Sequence, residues 1–338
     1  MASHTSTIIR SIHRFRWAAP VVVVFTATSV SCGEPDTGLA APAAAVVRAS
    51  APALMTSTPG HPRFLTVNVG HSSELDGVND SGTLVGTVYM EGNTRGFIKA
   101  GSTVMEFDYP GTSETTVMSG INDSGISIGH YDDAQGAAHG FARSAGGRFT
   151  PIDDPHGGTA FFQGTKPMGI NDDGIIVGTY VDGHDVAHGF VDTAGVFTTL
   201  NEPDAGTTGD TGTFVDGISN AGSVIGYYVD NRGFNYGFVE TSGTYTSFVA
   251  PGAGKGSGWG TRPTALANDG VVTGYAIGAL GVSGWVRQGQ TFYALNDPDA
   301  VSGPAAGTRP AGVNQEGREV VGKYFDAQGA MHGFIAYI

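Results

Sequence analysis

The sequence predicts an all-β fold, a six-bladed β-propeller with four antiparallel strands per blade. Three observations carry that reading: an internal repeat of fixed period, a four-strand pattern inside each repeat, and chain ends that complement one another. The clearest copy is Met168-Gly169-Ile170-Asn171-Asp172-Asp173-Gly174-Ile175-Ile176-Val177-Gly178-Thr179-Tyr180, followed by His188-Gly189-Phe190. The glycine at 174 recurs as Gly82, Gly125, Gly222, Gly270 and Gly317, in steps of 43, 49, 48, 48 and 47 residues. A period in this range marks a repeat architecture. Glycine is abundant, 54 of 338 residues, and only 14% of residues are charged, which suits short strands joined by tight turns.

The third repeat sets the pattern. Its first strand ends at Gly169-Ile170-Asn171. Asn171 to Gly174 form a hairpin turn, with Asx side chains capping amides and Gly174 taking positive φ. Ile175 to Val181 is a second, β-branched strand, and Asp182 to Asp185 a loop. Ala187 to Asp192 is a third strand with Phe190 buried, and after a turn Val196 to Leu200 is the fourth. Apolar residues on both faces of such a sheet require neighbours on both sides. The last repeat stops after its third strand, at His332 to Ile338, while Phe64-Leu65-Thr66-Val67-Asn68 precedes the first repeat with no sheet of its own. A strand over 64–69 is therefore expected to complete the last blade and remove an exposed edge. The propeller is assigned to 64–338.

Residues 1–32 read as a targeting segment. Arg10, Arg14 and Arg16 precede a short apolar run, Ala18 to Val30, too short to span a bilayer. Cys32, the only cysteine, follows Ser29-Val30-Ser31 and is a candidate lipidation residue at a lipoprotein-type processing site; plain secretory cleavage nearby is the alternative. Residues 33–63 form an Ala/Pro-rich linker. The expected location is extracytoplasmic, secreted or lipid-anchored to a bacterial envelope through Cys32. The formal charge is −14, and from Cys32 onward 14 basic residues face 31 acidic ones. An acidic surface argues against nucleic acid and against anionic membranes.

The run Gly-Ile-Asn-Asp-x-Gly, then Val/Ile-x-Gly-x-Tyr, His-Gly-Phe and Phe-Thr-x-Ile/Leu-Asp/Asn-x-Pro resembles the bacterial extracellular HAF repeats. Gly120-Ile121-Asn122-Asp123-Ser124-Gly125 with His139-Gly140-Phe141 is the closest copy. Departures are Arg95-Gly96-Phe97, Ser219-Asn220-Ala221 with Tyr236-Gly237-Phe238, and Ala267-Asn268-Asp269 with Ser283-Gly284-Trp285. The resemblance covers 64–338. It implies a secreted or surface repeat protein and carries over no catalytic residues. WD and kelch patterns are absent.

In a propeller the first strand lies innermost, and the loops 69–75, 109–117, 154–166, 202–215, 250–263 and 297–310 would surround one channel mouth. Variable loops on a rigid scaffold are where function concentrates. Thr165-Lys166-Pro167, Thr261-Arg262-Pro263 and Thr308-Arg309-Pro310 occupy one place in the repeat, with Glu74, Val117 and Phe214 at the same position elsewhere. Lys166, Arg262, Arg309 and Glu74 are thus candidate ligand-binding residues for an anionic ligand. The competing reading pairs each cation with an acid such as Asp153, Asp154 or Asp299. His71 and His156 are candidate general bases beside Asp76 or Asp216. Trp259 either stacks on a sugar ring or anchors its own loop. The His-Gly-Phe histidines, His139, His188 and His332, lie on different sheets, so structural hydrogen bonds are expected and no metal site. The Asn-Asp-x-Gly turns lack alternating calcium ligands. Nucleophile motifs are missing and no cofactor is implied. Three readings follow: a propeller binding an anionic or carbohydrate ligand at the channel mouth, a lyase or hydrolase of an anionic extracellular polysaccharide, or a structural envelope protein. A monomer is expected.

Overall fold

The computed structural model describes residues 62–70, 72–112, 115–303 and 306–338. Cys32, the leader, most of the linker and His71 lie outside them. The described residues contain 24 strands and no helix. The strands fall into six four-stranded antiparallel units. Unit 3 is Gly164–Ile170, Ile176–Val181, Ala187–Thr193 and Val196–Leu200. This is the expected pattern within a residue or two, except that the first strand starts earlier. Unit 6 has Thr308–Val313, Glu319–Phe325 and Met331–Tyr337, and its fourth strand is Arg63–Val67. That segment pairs antiparallel with the last strand of the chain, Arg63 opposite Tyr337 and Val67 opposite Gly333. Unit 6 in turn packs on unit 1, with Val321 clustered among Leu75, Val78 and Phe97.

One aromatic from each third strand, Phe97, Phe141, Phe190, Phe238, Trp285 or Phe334, is wholly buried. Fully burying one such ring stabilises by roughly 1.5–3 kcal/mol. The outermost strands are largely exposed, as in Val196–Leu200.

The Asn-Asp-x-Gly turn joins units as well as strands. Within its own turn, Asn122 Oδ1 accepts the Ile126 N–H at 3.0 Å, and Asn171 Oδ1 accepts that of Ile175 at 2.9 Å. The remaining groups reach the next unit. Asn79 Nδ2 donates to Asn122 O and Asn122 Nδ2 to Asn171 O, at 3.1 and 3.0 Å. The following residue accepts from the preceding unit: Asp80 N–H donates to Asp123 Oδ1, Asp123 N–H to Asp172 Oδ1, Asp172 N–H to Asn220 Oδ1 and Asn220 N–H to Asn268 Oδ1, all within 2.7–2.9 Å. Asn268 N–H continues to the Gln315 carbonyl, and Glu316 N–H returns to Asp80 Oδ1 at 3.1 Å. The departures Asn220 and Asn268 keep the side-chain acceptor. The expectation that both Asx side chains cap their own turn is corrected for the second one: it serves its neighbour.

At the opposite end of the strands a second set of links holds the units. Gly164 pairs in parallel with Ala138 of unit 2, Gly212 with Ala187 and Gly260 with Asn235. Gly164 has φ of +100°, and a Cβ there would lie 2.1 Å from the Ala138 carbonyl oxygen, so no other residue fits. The adjacent Thr165 hydroxyl accepts the Asp154 N–H at 2.9 Å and pins the incoming connection; Thr213, Thr261 and Thr308 do the same for Glu202, Ala250 and Asp297.

Asn122→Ala is expected to cost about 1–3 kcal/mol, since its buried side chain holds the Ile126 N–H, which would be left unpaired, and gives the Asn171 carbonyl a second donor beside the Gly174 N–H. Asp80→Asn, which keeps an acceptor for Glu316 N–H in an exposed turn, should change stability far less. Urea unfolding of both variants checks this; similar midpoints would show that the turn-to-turn links contribute little.

Candidate functional site

Each first strand carries a bulge, between Pro167 and Gly169 in unit 3 and at the same place in all six. Beyond the bulge the first strands of neighbouring units touch by backbone: a Cβ on Gly169 would lie 2.8 Å from Gly217 Cα. The residue before the bulge therefore projects from an inner wall. It is Glu74, Val117, Lys166, Phe214, Arg262 or Arg309. These four charged candidates lie within strands, not in mouth loops as the sequence suggested; Lys166 is registered against Thr179 and Arg309 against Lys323. Lys166, Arg262 and Asp216 are closely surrounded by protein, yet each keeps part of its surface open.

The four charged wall residues lie near the second strand of the preceding unit, and Arg309 also lies over the Phe325 ring of its own unit at 5.6 Å. Arg262 of unit 5 lies over the Tyr227 ring of unit 4 at 4.9 Å, and Arg309 of unit 6 over Tyr275 of unit 5 at 5.9 Å. Lys166 of unit 3 sits near Asp132 and His130 of unit 2. Glu74 of unit 1 is ion-paired with Lys323 of unit 6 and accepts from the Tyr89 hydroxyl.

Burial dominates the electrostatics. It drives the Asp216 carboxyl up to about 7, opposed by the positive charge of Arg262. It pushes Asp76 well above the usual range, with Glu74 adding to the shift and Lys323 and the Thr87 hydroxyl, 3.0 Å away, opposing it. It lowers Lys166, countered by Asp132, and holds His130 well below its ordinary value, with Lys166 adding to the effect. Burial also works against the charge of Arg262, but Tyr227, Tyr275 and Asp216 outweigh it and the net direction is upward. Arg262 Nε, Asp216 Oδ2 and His130 Nδ1 are buried atoms with no hydrogen-bond partner among the described residues.

The other candidates are not brought to this wall. His156 pairs with Asp154 at 2.9 Å, its side chain 68% exposed, so it is no base for Asp76 or Asp216. The Trp259 ring packs on its own loop, where a Cβ on Gly254 would lie 2.2 Å from it; it is the loop anchor. The His-Gly-Phe histidines are structural. His139 spans Asp153 and Asp133, His188 spans Asn201 and Asp182, and His332 spans Asn68 and Asp326. Among the described residues no group of His, Cys, Asp and Glu could hold a metal ion. His130, Tyr227, Tyr275 and Lys323 escaped the sequence reading. Their signal is the residue after the second-strand glycine, which registers beside the wall and varies as Thr87, His130, Thr179, Tyr227, Tyr275 and Lys323.

No protein-family model and no curated protein matches the chain. Among solved structures it is similar to a triple-mutant form of AofleA from Arthrobotrys oligospora, at 12% identity and a TM-score of 0.51, over 82% of this chain and 88% of that one. It is also similar to a gluconolactonase from Xanthomonas campestris, at 12% identity and a TM-score of 0.50, over 82% and 90% of the two chains. These likenesses are of fold: the protein is an all-β, propeller-type protein.

His130 is expected to stay neutral well below the pH at which an exposed histidine charges. Lys166→Met should raise its pKa only in part, because burial is the larger cause. An NMR titration of the ring decides; an ordinary value in the wild type would show that the wall is open to bulk water.

Proposed function

We propose that the protein is a secreted or envelope-anchored member of the HAF-repeat type, a closed six-bladed propeller whose central channel binds an anionic ligand. The closure reading draws on the Arg63–Val67 strand and the return of Glu316 N–H to Asp80. The single observation that carries the ligand reading is Arg262. It is a guanidinium enclosed in the inner wall with an unpartnered Nε, and the one carboxyl acting on it, Asp216, titrates only near neutral pH. Below about 7 the arginine charge is thus left for an incoming carboxylate or sulfate. Arginine donors match such groups in pairs, and the low-dielectric wall strengthens the attraction. Lys166 and Arg309, at the equivalent position of units 3 and 6, would complete the cationic lining.

A second reading is favoured by Asp216 alone. A carboxyl poised near 7 beside a fixed arginine suits proton transfer in a lyase or hydrolase of an anionic polysaccharide. Here Asp216 would move the proton and Arg262 hold a substrate carboxylate.

Calorimetric titration with glucuronate and with sulfate at pH 6 and pH 8 tests the binding reading. Affinity should fall as pH rises through about 7, because the Asp216 carboxylate that forms then competes for Arg262. Arg262→Gln should weaken binding at least about tenfold, the scale of one charge-assisted hydrogen bond. Asp216→Asn should bind equally at both pH values. No anion binding at either pH sinks the proposal. Degradation of an anionic polysaccharide that Asp216→Asn abolishes, while still binding glucuronate, would decide for the enzyme.

The folded-state rise of Asp216 also has a sign for stability. The native state holds a proton that the unfolded chain has lost, so stability falls as pH climbs from about 4 towards 7. Asp216→Asn should flatten that fall in thermal melts; an unchanged slope would mean that the carboxyl titrates normally.

A further inference from the structure

Two recesses of about 610 Å3 each lie away from the inner wall, at equivalent places in units 3 and 4. Each sits where the second-to-third-strand turn meets the end of the fourth strand and the connection to the next unit. Their shapes correspond but their chemistry does not. The unit 3 recess carries Asp182 and Glu202 with His184 and His188, has Val186 where unit 4 has Phe234, and has no lysine or arginine. The unit 4 recess is lined by Tyr228, Phe234 and Tyr236, with Arg232 and Lys255 facing Asp204 and Asp230.

We propose that the unit 4 recess is a binding site for a neutral pyranose, separate from the inner wall. The aromatic part is rigid. Tyr236 stacks on Tyr228 at 5.1 Å and 14° and meets Phe234 edge-on at 4.4 Å and 70°. Tyr228 and Phe234 are buried, while Tyr236 keeps part of its surface in the recess. A fixed ring of this kind offers an apolar platform for the C–H face of a sugar with little ordering cost.

The polar part is also positioned. Asp230 Oδ2 accepts from Arg232 Nε and Nη2 at 3.0 and 2.7 Å, and Nη2 also donates to the Tyr236 hydroxyl at 3.2 Å. Asp230 Oδ1 is taken by the N–H groups of Arg232 and Phe234. So Asp230 positions the arginine and does not itself meet a ligand; the Nη1 donors lie outside that contact. Asp204 from the preceding connection supplies a carboxylate acceptor, and Lys255 from the following one an ammonium donor. The lining carries two acids and two bases, so no excess of cations selects an anion. Alternating donors and acceptors around an aromatic floor instead match a ring of hydroxyl groups, each of which donates and accepts. The recess volume falls within the range of small-ligand sites.

Saturation-transfer NMR on the full chain with methyl glucoside, galactoside, mannoside and fucoside, up to about 10 mM, tests this in the weak-affinity range. At least one should bind. Arg232→Ala and Lys255→Ala, both exposed positions that leave the fold intact by melting temperature, should each weaken it at least about tenfold. Arg262→Gln should leave it unchanged, which separates this site from the inner wall. The proposal is overturned if none of the four pyranosides binds. It is equally overturned if binding survives both recess variants, if it is lost in Arg262→Gln, or if glucuronate binds in the recess and every neutral pyranoside fails.

Discussion

The structure depends on one repeated constraint: a turn that cannot satisfy its hydrogen bonds alone. The amide of each residue at the Asp172 position finds its acceptor on the next unit, and the last turn finds it on the first. Most of these amides are exposed and would otherwise turn to water; the buried links are the Asn79, Asn122 and Asn171 side chains, each donating to a carbonyl of the next unit. The parallel contacts at Gly164, Gly212 and Gly260 hold the other end of units 2 to 5, and isolated bridges at Thr115 and Gly307 extend them to units 1 and 6. With both ends held, the distance between neighbouring first strands is set by backbone and cannot adapt to the side chains between.

This separates positions that must repeat from positions that can vary. The buried third-strand aromatic and a hydroxyl residue at the 165 position recur in all six units; the glycine at 164 recurs in units 4 to 6, giving way to Ser72 and Thr115, and the Asx at 171 gives way to Ser219 and Ala267. The wall residue between them varies in charge and size. It is Glu, Val, Lys, Phe, Arg or Arg around the units, with no loss of register. Charge on the inner wall is therefore set unit by unit. Where Glu74 meets Lys323 it is cancelled; around Arg262 it persists, because burial keeps Asp216 from ionising fully at neutral pH.

Much of this was legible in the sequence because it is periodic. Strand limits in unit 3, the completing strand near Val67 and the shared position of Lys166, Arg262 and Arg309 all follow from aligning the repeats. What alignment within a repeat cannot show is a contact that crosses to another unit. The Asx acceptor on a neighbour, Arg262 over Tyr227 and Lys166 beside His130 are all of this kind, since their partners stand in a different copy at a different offset. His156 and Trp259 misled for the opposite reason. They looked exceptional because they break the pattern, but each is held by its own loop, through Asp154 and Gly254.

The recess of unit 4 shows how such a scaffold acquires a site without disturbing its junctions. The turn aspartate is Asp133, Asp182, Asp230 and Asp326 in four units, and in each its carboxylate caps the backbone of its own turn. In three of them its second oxygen faces the histidine of His-Gly-Phe. In unit 4 tyrosine replaces that histidine, and the oxygen is taken by Arg232. Two exchanges, tyrosine for that histidine and arginine at 232 where the other units have Gln135, His184 and Gln328, let the aspartate hold a guanidinium, and the ring at 236 stacks on Tyr228 where a histidine stacks on tyrosine in the other three. The fold is untouched because the aspartate's capping oxygen is the other one. A repeat protein of this design can change its chemistry at one oxygen of one residue, while the neighbouring oxygen keeps the turn.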